Sequence, residues 1–218
     1  EIEWGVSTTE LRRRGFRGLA RGSGQRKHLP AMAFIFDPDE LHDIIRGVID
    51  LPTQEKIDRI ADELDVAYPG HIVPKEKRDW VFNYAGGAIG QLLILHASLT
   101  EYILIFSTPI GTEGATGRFR ADDYFYILEG EHWCYYEGRT ERQVTEPGGV
   151  SVMKRGQFGA YRMPDAGLAV EYARGTIPAM LPFGMADILS SSLDFGTLGK
   201  TVRMYGEATV ANLLRGKI

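Results

Sequence analysis

The stretch from Trp80 to Gly175 constrains this chain most. Short apolar runs, GQLLILHA, EYILIF, DYFYILEG, EHWCYYEG and GLAVEYARG, are punctuated there by Gly, Pro and Thr turns, the pattern of strands joined by tight connections. Five or more such strands must bury their apolar sides on one another, and they predict a small β-barrel or sandwich. Helical spacing flanks this region on both sides. In FDPDELHDIIRGVID, Asp37-Pro38 marks a helix start, and Leu41, Ile44, Ile45 and Val48 recur on one face. Thr53 is placed to cap a second helix, QEKIDRIADELDVA, ended by Pro69-Gly70. After Thr176 helical signals return as two more helices, separated near Ser191 and Asp194. The expected class is therefore mainly β with flanking helices (α+β). A single domain is expected over 33–218, with a helical lead-in at 33–79, the β region at 80–175 and C-terminal helices at 176–218.

Charge narrows the partners. The 218 residues carry a formal net charge of −4, but residues 1–32 hold seven Lys/Arg against three Glu, so the rest of the chain is strongly acidic. That body would repel phosphate, which argues against a nucleic-acid partner. Residues 1–32, basic, Gly-rich and aperiodic, are expected to form a disordered arm. Cys134 is the one cysteine, so no internal disulfide can form. No run of about 20 apolar residues exists to span a bilayer.

Several chemistries lack their residues. A barrel of this size invites comparison with metal-binding cupins, which need closely spaced histidines and a carboxylate. His28, His42, His71, His96 and His132 include no His-x-His pair, so no metal is expected, and each histidine reads as a hydrogen-bonded structural residue, with His132 alone inside a central strand. NYAGGAIGQ lacks the strand-turn-helix setting of a dinucleotide fingerprint, and its glycines read as a tight bend. Cys134 lies among bulky aromatics with no base nearby in the sequence, so a thiol nucleophile is unsupported.

Carboxylates remain. In LAVEYARG, alternation puts Leu168, Val170 and Tyr172 on one face and Ala169, Glu171 and Ala173 on the other. Glu171 either points at water, as most glutamates do, or occupies a dry pocket, with the small side chains beside it leaving room for another molecule. In RADDYFYILEG, Asp122 and Asp123 enter an apolar strand, with Asp123, Phe125 and Ile127 sharing a face. They are either solvated aspartates at a strand end, or Asp123 faces Glu171 across a cavity. In the second case the two cannot easily both ionise, and one becomes a general acid at cellular pH.

The string WVFNYAGGAIGQLLILHASLTEYILIFSTPIGTEGATGRFRADDYFYILEG, followed by PGG, VEYARGTIPAMLPFG and SSSLDF, resembles the family of fungal sterol C-8 isomerases and the sigma non-opioid receptor, over roughly residues 34–215. The resemblance implies a cupin-like β-barrel flanked by helices and bound to the endoplasmic reticulum membrane. It also implies a homo-oligomer, trimeric in the receptor branch, with no metal and no redox cofactor. The activity it implies is movement of a sterol ring double bond from carbons eight and nine to carbons seven and eight in ergosterol synthesis. Glu171 matches the family's pocket glutamate, and Tyr102 of SLTEY the tyrosine that hydrogen-bonds it. Where the receptor has its second ligand-binding acid this chain has Phe125; its acid lies two residues earlier, at Asp123, as in the ADDYF of the fungal enzymes. Ala115 stands where the family usually has histidine, and the basic arm where it has a hydrophobic anchor.

The expectation is then a proton transfer by Glu171 and Asp123, with Tyr102 supporting, in a pocket whose substrate-binding residues are Leu104, Phe106, Asp122, Phe125 and Ile127. The alternatives are a non-catalytic receptor that binds cationic amphiphiles or sterols, and a membrane scaffold whose barrel is filled. Met180, Leu181, Phe183, Leu189, Phe195, Val202 and Leu213 give the C-terminal helices more apolar surface than one packed stripe uses. They are expected to lie in a membrane interface, with Lys200, Arg203, Arg215 and Lys217 toward the headgroups.

Overall fold

The computed structural model describes residues 34–218; the basic arm expected at 1–32 lies outside them. Helix α1 (Pro38–Arg46) begins where Asp37-Pro38 requires, because the Asp37 carboxylate accepts from the backbone N–H of Asp39 (2.9 Å) and Glu40 (3.1 Å). Leu41 and Ile45, one turn apart, are each 1% exposed, a burial worth roughly 1.5–3 kcal/mol apiece. Helix α2 spans Thr53–Ala67. Its cap position is Pro52 rather than Thr53. The Thr53 hydroxyl turns instead to Glu129, donating to a carboxylate oxygen (2.8 Å) that Lys56 also contacts.

Ten strands follow. β1 (Trp80–Ala85), β2 (Ala88–Ala97), β3 (Glu101–Thr108), β5 (Ala121–Glu129), β8 (Val150–Met153) and β10 (Gly167–Gly175) form one antiparallel sheet in the order β1-β2-β3-β10-β5-β8. β4 (Thr112–Ala115), β6 (His132–Tyr136), β7 (Gln143–Thr145) and β9 (Gly159–Met163) form a second, ordered β4-β9-β6-β7. The expected barrel thus takes the form of two facing sheets, with no hydrogen-bonded ladder closing them among the described residues. The β1–β2 hairpin turns on Gly86 and Gly87, at φ 63° and 87°, the two positive angles a two-residue turn of this hand needs.

β10 organises the larger sheet. β3 and β5 pair with its two edges, and its alternating side chains serve two compartments, as the sequence predicts. Leu168, Val170 and Tyr172 join the core under α1 and α2, with Phe36, Ile60 and Leu64. Ala173 faces the other way, with Tyr102, Leu104 and Phe106 of β3. That second face looks across to the smaller sheet and to the C-terminal helices, α3 (Leu181–Asp187) and α4 (Phe195–Leu214). A π-helical turn at Ile188–Ser192 and a left-handed Leu193 separate these helices, where the sequence placed the break.

His96 is also inside a central strand, β2, and is fully buried, so His132 is not alone in that respect. Lys217 likewise departs from its expected place at lipid headgroups. It is 7% exposed, and its Nζ lies 2.6 Å from Glu101, a carboxylate with no exposed surface. Glu101 also accepts from the backbone N–H of Ile35 (2.9 Å) and Phe36 (3.2 Å) and from the Tyr172 hydroxyl (2.7 Å). The chain before α1, strands β3 and β10, and the residues after α4 therefore meet at one carboxylate. Removing one partner of a buried charged pair strands the other. Lys217→Met is expected to cost about 3–5 kcal/mol in denaturant unfolding, whereas breaking the exposed Arg59–Glu63 pair (2.9 Å) with Arg59→Ala changes stability by less than about 1 kcal/mol. Equal effects would mean that the Glu101 junction is not holding the fold.

Candidate active site

Glu171 lies at the middle of β10, opposite Leu104 of β3 and Phe125 of β5. The next position on its face, Ala173, is opposite Tyr102 on one side and Asp123 on the other. Because Ala173 ends at Cβ, three polar side chains converge over it without a fourth between them. The Tyr102 hydroxyl donates to Glu171 Oε1. Asp123 Oδ1 is buried and has no hydrogen-bond partner. Glu171 therefore does not point at open water, and the pocket reading of LAVEYARG stands.

These groups border a cavity of about 540 Å³ between the sheets and the C-terminal helices. Leu104, Phe106 and Phe125 line it, as expected, and so does Ala115. Two expected substrate contacts do not. Asp122, one residue out of phase with Asp123, points to the other side of β5 and accepts from the backbone N–H of Arg155 (2.9 Å). Ile127 shares Asp123's face but is fully buried beyond the cavity. The space stops at Phe125, which meets the rings of His132 (centroids 5.0 Å apart) and Tyr161 (6.5 Å) across the sheets.

Sequence reasoning missed several lining residues with polar atoms, Tyr205, Tyr161 and His132 among them. Tyr205 is hidden in the apolar pattern of α4, and Tyr161 lies on β9, a strand of five residues too short and polar to stand out. His132 was expected to be hydrogen-bonded, yet its Nδ1 is buried without a partner. Each of the other described histidines has one ring nitrogen engaged: His42 Nε2 donates to the Gly148 carbonyl (2.7 Å), His96 Nδ1 to that of His71 (2.7 Å), and His71 Nδ1 lies 3.5 Å from Asn212 Oδ1; His96 Nε2 is also buried without a partner, but His96 does not line the cavity. Cys134 also lines the cavity, with Sγ 3.5 Å from Ser151 Oγ and no base against it.

No Lys or Arg is among the described residues lining the cavity, and this sets its electrostatics. Burial raises the Asp123 carboxyl well above the usual range, and the neighbouring Glu171 charge raises it further. Burial also raises Glu171, but the Tyr102 hydroxyl bonded to it opposes the shift by favouring the carboxylate. Tyr102, Tyr161 and Tyr205 are pushed up by burial and by both acids, so all three keep their protons. Burial lowers His132 to about 4, leaving a neutral imidazole. A mostly apolar space with a proton-holding acid, a second acid better able to ionise and no fixed cation among its described lining residues can donate a proton, accept one and favour positive charge in a ligand between the two events.

The chain matches the model of the family described as ERG2 and Sigma1 receptor like protein over residues 23–217. It is 47% identical over 187 residues to the C-8 sterol isomerase erg2 of Aspergillus fumigatus, covering 84% of this chain and 78% of that one. The C-8 sterol isomerase of Neurospora crassa is also 47% identical, over 84% of this chain and 73% of its own. Sigma non-opioid intracellular receptor 1 of Gallus gallus is 38% identical over 84% of this chain and 82% of its own. Among solved structures, an RmlC-like cupin from Shewanella frigidimarina aligns with a TM-score of 0.41 at 17% identity, over 48% of this chain and 90% of that one.

The buried acids carry a stability cost with a defined pH dependence. The folded state holds a proton on Asp123 that the unfolded chain releases once pH passes the ordinary carboxylate range. This site therefore disfavours the fold increasingly as pH rises, until the folded carboxyl itself ionises. Asp123→Asn keeps the shape and removes the titration. Its melting temperature is expected to exceed that of the unsubstituted protein, with a larger gain at pH 8 than at pH 5. A loss of stability, or a gain independent of pH, would contradict a raised Asp123.

Proposed function

This chain belongs to the ERG2 and Sigma1 receptor-like family, and from that membership and its buried acids we propose that it is a C-8 sterol isomerase of ergosterol biosynthesis. The observation that carries the reading is the pairing of Glu171, held by Tyr102, with an Asp123 whose buried Oδ1 has no partner, in a cavity without a fixed cation among its described lining residues. Close relatives named C-8 sterol isomerase support the substrate class.

The reaction follows from the two environments. Asp123, the more strongly raised acid, donates its proton to carbon nine of the eight-nine alkene, and the electron pair of the double bond forms the new C–H bond. A tertiary cation remains at carbon eight. Glu171, whose charge the Tyr102 hydroxyl supports, faces that cation as a carboxylate. At low dielectric this attraction is several times stronger than in water. Loss of a proton from carbon seven to a carboxylate then forms the seven-eight double bond, and proton transfer between the acids restores the starting state. Atoms and electrons balance without an oxidant or reductant. Leu104, Phe106 and Phe125 hold hydrocarbon and keep water from trapping the cation.

The similarity to a sigma receptor supports a second reading, a binding protein for cationic amphiphiles, since an amine imitates the cationic intermediate. Turnover separates the two. In an isomerase-deficient yeast with sterols analysed by mass, this chain is expected to restore seven-eight sterols. Glu171→Gln and Asp123→Asn should each lower the product at least a hundredfold, within the range general acid–base catalysis supplies, and Asp122→Asn should change it less than threefold. No product from the unsubstituted chain would favour the receptor reading. Activity retained by Asp123→Asn but lost by Asp122→Asn would place the catalytic acid on the other face of β5.

The same reading places the protein as a homo-oligomer at the endoplasmic reticulum membrane. Among the described residues no helix is long and apolar enough to cross a membrane. Support comes from exposed apolar side chains around α3 and α4, including Leu189 (51%), Phe195 (63%) and Leu214 (85%), which suit an interfacial position. Because Lys217 anchors the fold at Glu101, deletion of the C-terminal helices is not a clean test; surface substitutions are. The full chain is expected to float with liposomes, and Leu189→Ser/Phe195→Ser/Leu214→Ser to lose most of that association without a change in melting temperature. Equal flotation would remove these helices from membrane contact.

A further inference from the structure

The end of the cavity farthest from α3 and α4 contains a group that the proton transfers leave unused. From the helix-covered end, the β5 side of the cavity runs Asp123, Phe125 and then the buried Ile127. His132, directly after the turn that leaves β5, returns over Phe125 and lies against Tyr161, with ring centroids 5.0 and 5.5 Å away. The side chain is 6% exposed and borders the cavity, and its Nδ1 has no partner. Other polar side chains that line the cavity are engaged elsewhere: Cys134 Sγ and Ser151 Oγ contact each other, and the Tyr136 hydroxyl donates to the Val152 carbonyl (3.3 Å). Buried polar atoms of folded proteins nearly always have a partner, so a missing one calls for an explanation.

The cavity also has a direction. Leu181, Phe183, Met185, Val202 and Val210 of α3 and α4 line its other end, and Leu181, Val202 and Val210 are themselves exposed. A sterol has the same asymmetry, with one hydroxyl on its first ring and hydrocarbon at the opposite end. Resting on the isomerase reading, we propose that His132 binds the first-ring hydroxyl of the sterol, so that the hydrocarbon tail points toward α3 and α4. The order agrees. Along β5 it is Asp123, then Phe125 about 7 Å farther on with the His132 ring 5.0 Å from it, the same order as reacting double bond and first-ring hydroxyl in a sterol. Held neutral by burial, the imidazole offers one donor and one acceptor, matching a neutral hydroxyl.

The test compares two substrates on the purified full-length protein: an eight-nine sterol with its hydroxyl, and the same sterol with hydrogen in its place. The unsubstituted protein is expected to favour the hydroxylated sterol in kcat/KM by roughly tenfold or more. His132→Phe should erase that preference by raising KM for the hydroxylated sterol with kcat nearly unchanged, leaving the deoxy sterol unaffected. His132→Gln, which keeps a donor and an acceptor, should retain part of the preference, and it replaces the Phe variant if melting shows that variant unfolded. A preference that survives both substitutions, or a parallel loss for both substrates in folded protein, overturns the assignment. Equilibrium binding of the two sterols to the same proteins separates this proposal from the isomerase reading. Absent turnover with a His132-dependent hydroxyl preference in binding would overturn the isomerase reading and leave the hydroxyl site standing. Turnover with no such preference would do the reverse.

Discussion

A single strand hydrogen-bonded on both edges, β10, sets the position of everything chemical in this fold. With β3 on one side and β5 on the other, its backbone has little freedom, and alternation sends consecutive residues to opposite compartments. Tyr172 faces the core and donates to the Glu101 carboxylate; Glu171 faces the cavity and accepts from the Tyr102 hydroxyl. The same pair of residue types, contributed by adjacent positions of β3 and β10, thus occurs once on each face with the donor strand exchanged. Glu101 has a lysine 2.6 Å away and two backbone N–H groups, and it joins the ends of the described chain. Glu171 has a phenol and, nearby, a second acid. The identical functional group ties the fold together where a cation is supplied and, where one is withheld, is pushed toward holding a proton.

Withholding the cation is costly for folding, because a buried carboxylate without a counter-charge is disfavoured and takes up a proton instead. The cavity turns this into chemistry. Three protonated phenols and a neutral imidazole surround the acids, so positive charge that appears in a ligand meets no competing fixed cation. Basic side chains do occur on nearby elements, but they are directed away: Arg174 donates to the Tyr124 hydroxyl (2.8 Å), and Lys200 pairs with Asp79 (2.5 Å). The arrangement resembles a solvent chosen for a cation more than a clamp chosen for one substrate.

What the sequence made legible was the part governed by short-range rules. The two faces of LAVEYARG, the phase difference between Asp122 and Asp123, the start of α1 and the break near Leu193 all depend on residues within a turn or a strand of one another. The misreadings involve partners distant in sequence. Thr53 was assigned to a cap because Glu129, its actual partner, lies 76 residues away. Lys217 was assigned to the lipid surface because nothing near it in sequence announces Glu101. Ile127 obeys its strand period and still misses the cavity, since the end of that space is decided by His132 and Tyr161 on the other sheet. His132 reads as hydrogen-bonded from sequence because most buried histidines are, yet no neighbour in the fold reaches its Nδ1.

The C-terminal helix carries two demands that conflict unless they are separated along its length. Its far end has to hold the fold, and there Asn212 donates to the Ala97 and Ala208 carbonyls (2.9 and 3.0 Å), while Thr100 donates to the Ile218 carbonyl (2.5 Å) and Lys217 reaches Glu101. From Thr201 to Val210 it covers the cavity, and just before that stretch its polar contact beyond the helix is Lys200 with the Trp80 carbonyl and an exposed Asp79. Buried hydrogen bonds to charged groups outweigh solvent-exposed ion pairs, so this end of the chain is held most strongly after the helix has passed the cavity and less strongly where it begins to cover it. The strong contacts, from Asn212 onward, thus begin only after Val210, the last residue of the helix that borders the cavity.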